Sequence, residues 1–195
     1  MVTGAATPDH GPVVTDLLRA EHAQVARTLH HLTQTKSTDK LRQELEALVR
    51  TLAKHEAAEE MAVYPVLAHR EAAAECCEIA LAQEHATKKL LNAILRRSFW
   101  RPGSRGLRKM VASLADQVNE HAKFEENFVF VLLEDGEDEQ KLQMMGTWVA
   151  NAELIAPARP HPHGSQHLPG LAVANPVLAT TDRLRNFVRR RLAHY

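Results

Sequence analysis

Between residues 13 and 135 apolar side chains recur every three or four positions, with few Gly or Pro between them, a spacing that predicts helices rather than strands. A first helix is expected over Val13–Leu32. The polar stretch Thr33–Thr38 (TQTKST) then supplies a turn and capping residues. A second helix starts near Asp39 and carries Leu41, Leu45, Leu48, Leu52, His55, Glu59, Ala62 and Val66 at alternating four- and three-residue steps, all on one stripe. Pro65 kinks or ends it. A third is expected over Ala72–Arg97, followed by a turn at SFWRPGS. The fourth runs to Asp135 with the stripe Leu107, Val111, Leu114, Val118, His121, Glu125, Phe128 and Leu132, and Gly136 stands where a helix commonly terminates. Short connections between four such helices imply an all-α, antiparallel up-down-up-down four-helix bundle.

The remainder divides around this unit. Residues 1–12 are read as a flexible N-terminus, 13–135 as the bundle, and 136–195 as a C-terminal helical appendage. The appendage comprises a short helix (Asp138–Leu154), a Pro- and His-rich loop (Pro157–Pro176) and a basic amphipathic helix (Val177–His194). Five arginines, Arg183, Arg185, Arg189, Arg190 and Arg191, lie on that last helix without interleaved aromatics, as on a solvated or carboxylate-paired face. Its Leu178, Leu184, Phe187, Val188 and Leu192 would pack on the bundle or on a second subunit, which would make a homodimer.

Composition narrows the class. In 195 residues, 24 Lys+Arg balance 24 Asp+Glu, so no overall field draws the chain to nucleic acid or to an anionic membrane. No apolar run suits a transmembrane helix and the first residues lack a signal-peptide pattern, so a cytoplasmic location is expected. Adjacent Cys76 and Cys77 suit neither a disulfide nor a CxxC site and read as reduced helical thiols. Twelve histidines are the departure that directs attention to chemistry.

HEAAEEMAVYPVL from His55 and HAKFEENFVFVLL from His121 share the pattern H-x3-E-E-x2-V-[YF]-x2-L, as an internal duplication would. A single mid-helix histidine precedes each copy, His22 by 33 residues and His85 by 36. Residues four apart on a helix differ by only ~40° in azimuth, so His55 and Glu59 point the same way, as do His121 and Glu125. Both pairs fall on the core-facing stripe, where an unpaired carboxylate costs several kcal/mol, and a metal ion would neutralise and coordinate them. The candidate ligands are His22, His55, Glu59, His85, His121 and Glu125. Imidazole and carboxylate without thiolate favour Fe or Mn over structural Zn, two carboxylates able to bridge favour two metals, and chemistry alone leaves copper open. The order His-x3-Glu is unlike the Glu-x-x-His of ferritin-like di-iron bundles. Glu56 and Glu60 are expected in solvent or supporting the ligands, His30 and His31 in solvent, and Tyr64, ~180° around the helix from His55, in packing.

His22, His55-x3-Glu59, His85 and His121-x3-Glu125 on four consecutive helices resemble the hemerythrin-like, HHE cation-binding family over residues 13 to 135. That resemblance implies an oxo- or hydroxo-bridged centre of two Fe ions, with Glu59 and Glu125 bridging and the four histidines as terminal ligands; Mn or Zn are substitutes. Two departures from the oxygen carriers bear on function. Their third helix carries His-x3-His, whereas Leu81 and Lys89 flank His85 at four residues, and their last motif is His-x4-Asp, whereas His121-x3-Glu125 stands here. One imidazole fewer leaves a position open or filled by another residue, with His161 and His163 of the Pro-rich loop as candidates. The expectation is therefore reaction with O2, H2O2 or NO as the small partner ligand, in oxidative or nitrosative stress or in oxygen or iron sensing, with the electron donor unknown. The alternatives are a di-iron oxygenase or oxidase acting on a small organic substrate and a non-catalytic sensor module.

Overall fold

A computed structural model describes residues 11–100 and 104–155. Five long helices make up the described chain: α1 (Val14–Gln34), α2 (Thr38–Ala62), α4 (Glu71–Trp100), α5 (Ser104–Phe124) and α7 (Glu139–Ile155). A single helical turn, α3 (Tyr64–Leu67), follows α2, and α5 continues through a π turn (Glu125–Val129) into α6 (Phe130–Gly136). There is no strand among the described residues, and the fold is all-α as expected. No helix described is long and apolar enough to cross a membrane.

The helix ends follow local chemistry. Ser37 caps α2 by accepting a hydrogen bond from the Lys40 N–H, and Asp138 does the same for Lys141 at the start of α7. Arg108 of α5 donates to the carbonyls of Thr35 and Lys36, tying down the α1–α2 turn. At the far end, Gly136 is the last residue of α6 rather than a residue beyond it, and its value is space: Arg70 donates to the carbonyls of Leu132 and Gly136, and a Cβ on residue 136 would meet its guanidinium.

α1, α2, α4 and α5 pack each against its neighbours in a ring, and their buried residues form two apolar clusters, one at each end of the bundle. One holds Val25, Leu29, Leu48, Leu52, Leu91, Ile94, Leu114 and Val118; the other holds Leu18, Ala58, Tyr64, Ala80, Val129 and Phe130. Each of these four helices passes from one cluster to the other. Between them, at His22, His55, Glu84 and His121, it carries a polar residue into the core.

Residues 139–155 lie against α1 and α2, and Leu142, Met145, Val149 and Ala152 enter the second cluster, so α7 is a fifth member of the packed core. Gly146 lets the main chain of Pro12 cross α7 closely. Residues 1–10 of the flexible N-terminus expected over 1–12, the His161/His163 loop and the basic C-terminal helix lie outside the described residues.

Candidate metal centre

Three of the four expected histidines reach the polar layer with the same orientation. Each turns Nδ1 outward to an oxygen acceptor: His22 to Glu126 (3.0 Å), His55 to Glu21 (2.8 Å) and His121 to Gln83 (3.2 Å). A carboxylate only accepts, so Glu126 and Glu21 place the proton of their partners on Nδ1 and leave the Nε2 lone pair facing inward. The three Nε2 atoms converge on two carboxylates. His55 Nε2 stands 3.4 Å from Glu59 Oε1, while His22 and His121 Nε2 stand 3.3 and 3.5 Å from Glu125 Oε2. His22 and His55 Nε2 are 3.1 Å apart. Behind His22, Phe130 stacks its ring at 5.7 Å, and the Arg19 guanidinium lies over the Phe130 ring, 5.4 Å from its centroid.

Two further groups enter from α3 and α4. Glu84, fully buried, directs one carboxyl oxygen at Tyr64 Oη (2.5 Å) and the other at Lys88 Nζ (3.1 Å). Tyr64 Oη also lies 2.6 Å from Glu125 Oε1, so the phenol is wedged between two carboxyl groups. Lys88 is a nearly buried cation whose ammonium also pairs with Glu60 and stands 3.7 Å from buried Glu56.

The electrostatics are those of a site crowded with carboxylates. Burial, reinforced by Glu125 and Glu84, holds the Glu59 carboxyl well above its ordinary range. Burial does the same to Glu84 against the pull of Lys88, and raises Glu56 to about 8. Glu125 runs the other way: burial opposes ionisation, but His121, His22 and the Tyr64 hydroxyl bring it down to about 2. Burial lowers His121 to about 4, and burial with the surrounding carboxylates pushes the Tyr64 phenol well above its usual value.

Several inward atoms have no hydrogen-bond partner: both oxygens of Glu59, Glu125 Oε2 and His121 Nε2. Orphaned polar atoms buried together are costly, and these are all electron-pair donors aimed at one another. Donors held ~2 Å from a common ion stand about 3 Å apart at a right angle, which is the spacing found here. The donors form two overlapping sets, His22, His55, Glu59 and Glu125, and Glu59, Glu84, His121 and Glu125, each with its ligand atoms within 4.8 Å of one another. The residues present therefore fit a bound metal, and Glu59 and Glu125 belong to both sets. Imidazole and carboxylate donors without thiolate suit iron or manganese.

Of the six residues expected from sequence, the structure brings together His22, His55, Glu59, His121 and Glu125. His85 is half-buried and belongs to neither set; its neighbour Glu84, ~100° away on α4, occupies that place. Glu84 has a sequence signal of its own, because Ala73, Cys77, Ala80, Glu84, Thr87, Leu91 and Ile94 form the four-and-three stripe of α4 and all are buried. Tyr64 is a correction. The half-turn expected between it and His55 assumes an unbroken helix, but α2 stops at Ala62 and Val63 leads into α3, which turns the phenol toward the site. Of the two places expected for Glu56, in solvent or supporting the ligands, it is out of solvent, buried beside Lys88, whereas Glu60 is partly exposed and His30 and His31 are exposed. Cys76 and Cys77 are buried and not in a disulfide, and burial pushes the Cys77 thiol up to about 12.

Comparison with known proteins bears on the same residues. Neither the curated proteins nor the solved structures compared with the chain gave a match. A family model described as the hemerythrin HHE cation binding domain matches residues 13–133, a span that holds every donor of both sets and stops before α7. With well over half of the chain matched and the family's His and Glu residues gathered in one buried layer, the protein belongs to the hemerythrin HHE cation-binding family.

Proposed function

We propose that the protein holds two iron ions between His22, His55, Glu59, Glu84, His121 and Glu125 and reacts there with a small oxidant, O2, H2O2 or NO, in oxidative or nitrosative defence or in oxygen or iron sensing. The observation that carries this reading is the set of buried, unpartnered donor atoms on Glu59, Glu125 and His121, which a shared cation would satisfy together. When bound, the iron pair would supply electrons and a Lewis-acidic position for the oxidant.

The chain's own residues do the rest. Glu126, Glu21 and Gln83 hold the three imidazoles in the orientation that keeps Nε2 available. The apolar clusters on either side keep bulk water from the layer, which strengthens every charge interaction inside it. Tyr64 Oη, against Glu84 and Glu125, keeps an O–H donor at the α3 side of the layer, where an oxidant being reduced needs a proton.

The test is spectroscopic. Iron-loaded protein is expected to show ligand-to-iron charge-transfer absorption that changes on adding H2O2, with loss of the peroxide, and Glu125→Ala is expected to lack both. A loaded protein that leaves peroxide and NO untouched would contradict the oxidant reading while leaving metal binding in place.

A further inference from the structure

The two donor sets differ in composition. One offers two imidazoles and two carboxylates, His22, His55, Glu59 and Glu125; the other offers one imidazole and three carboxylates, Glu59, Glu84, His121 and Glu125. The fixed charge around them differs as well. Glu84, which belongs to the second set alone, has both oxygens engaged, Oε1 by the Tyr64 hydroxyl at 2.5 Å and Oε2 by the Lys88 ammonium at 3.1 Å. Lys88 is 12% exposed, so its charge is poorly screened by water, and Glu56 and Glu60 hold it in place from α2. On the His22/His55 side, the neighbouring groups are instead the outward acceptors Glu126 and Glu21.

We propose that Lys88 is a built-in counter-cation that makes the two metal positions unequal: the His22/His55 position fills first, and the Glu84/His121 position fills second and more weakly because its ion competes with the Lys88 ammonium for Glu84. The inference rests on the two-metal reading above and adds to it an order of loading and the residue that sets it. Two physical terms act in the same direction. Divalent ions of the later first-row metals bind imidazole-rich sets more tightly than oxygen-rich ones, and a fixed positive charge beside a carboxylate weakens its attraction for any further cation. Mn2+, which discriminates less in favour of nitrogen, should show a smaller gap between the positions than Co2+.

The experiment titrates the full chain, stripped of metal by chelation, with Co2+ followed by absorbance and calorimetry, and with Mn2+ followed by its paramagnetic resonance signal. Wild type is expected to bind Co2+ in two resolved steps, with a smaller gap for Mn2+. In Lys88→Met the second step should tighten by at least about tenfold and close on the first, while Lys88→Arg, which keeps the charge, should preserve the gap. Wild-type measurements carry the test even if Lys88→Met folds poorly. Two equal steps in wild type, or a second step that stays the same or weakens in a folded Lys88→Met, would overturn the role of Lys88 and leave the two-metal reading standing. Failure of wild type to bind either ion would overturn both.

Discussion

Glu84 and His85 stand one residue apart on α4, and ~100° of helix separates their consequences. Glu84 is fully buried with Tyr64 and Lys88 on its carboxylate; His85 is half-buried and a member of neither donor set. Replacing Glu84 by Gln keeps the volume and removes the anionic donor, so Glu84→Gln is expected to lower metal content from two ions toward one, while His85→Ala should leave it near wild type. Elemental analysis of the two variants checks this, and the reverse pattern would restore His85 as the α4 ligand. A histidine in a sequence rich in His-x3-Glu attracts attention for its chemistry, but the helical register places residue 84, not 85, on the stripe that runs from Ala73 to Ile94. His22, His55, Glu59, His121 and Glu125 were legible because chemistry and register coincide at each of them. Tyr64 was not, because its direction depends on the break at Val63, which a single Pro at 65 signals without fixing its angle.

Within the elements, the π turn at Glu125–Val129 is where the structure departs most from a regular pattern. Its signature is the Phe130 N–H bonded to the Glu125 carbonyl, five residues back. The extra residue explains the burial. A continuous α-helix would carry the stripe of α5 on to Phe128 and Leu132, yet both are only half-buried, and Val129 and Leu133 are buried instead. Sequence periodicity has no term for an inserted residue. Deleting the exposed Asn127 should heal the turn, because Val129 and Leu133 would then fall at regular three- and four-residue steps after Glu125. We expect the deletion to keep helical content and thermal stability, or raise it, while metal content falls as the backbone at Glu125 is redirected. Circular dichroism with elemental analysis checks it; unchanged metal content would show that the π turn is not needed for the ligand. Gly146 on α7 poses a different constraint. A Cβ there would strike the Pro12 carbonyl, so Gly146→Ala should destabilise the protein by about 1–3 kcal/mol through displacement of the chain that crosses α7, read in denaturant unfolding.

For the whole molecule, two apolar clusters flank one layer of ionisable groups, and the layer sets the pH response. Glu56 is held up to about 8, and Glu59 and Glu84 well above their ordinary values, mainly by burial. Above the pH at which such groups ionise in the unfolded chain, the metal-free folded state binds more protons than the unfolded one, so its stability falls as pH rises. His121, lowered to about 4 by burial, acts in the opposite sense, but that contribution is complete above its unfolded value near 6.5. Between pH 6.5 and 8 the carboxyl groups therefore prevail. The unfolding free energy of metal-free protein should drop across this window by about 1 kcal/mol per pH unit for each protonated carboxyl, lowering its thermal midpoint, and metal-loaded protein should change little. A metal-free protein as stable at pH 8 as at pH 6.5 would contradict these assignments.

The antiparallel bundle was legible as a whole because four amphipathic stripes joined by short connections admit few other arrangements. The place of α7 was not, since its apolar residues Leu142, Met145, Val149 and Ala152 gain meaning only against the α1–α2 face they cover. The central claim of the proposal is a pair of metal ions in the central layer. The most direct test is the metal content of the full chain purified from iron-supplemented cells, measured by elemental analysis against protein concentration. About two irons per chain is the result expected from His22, His55, Glu59, Glu84, His121 and Glu125 acting together. A chain that carries no metal, or a single ion that excess iron cannot double, would contradict it.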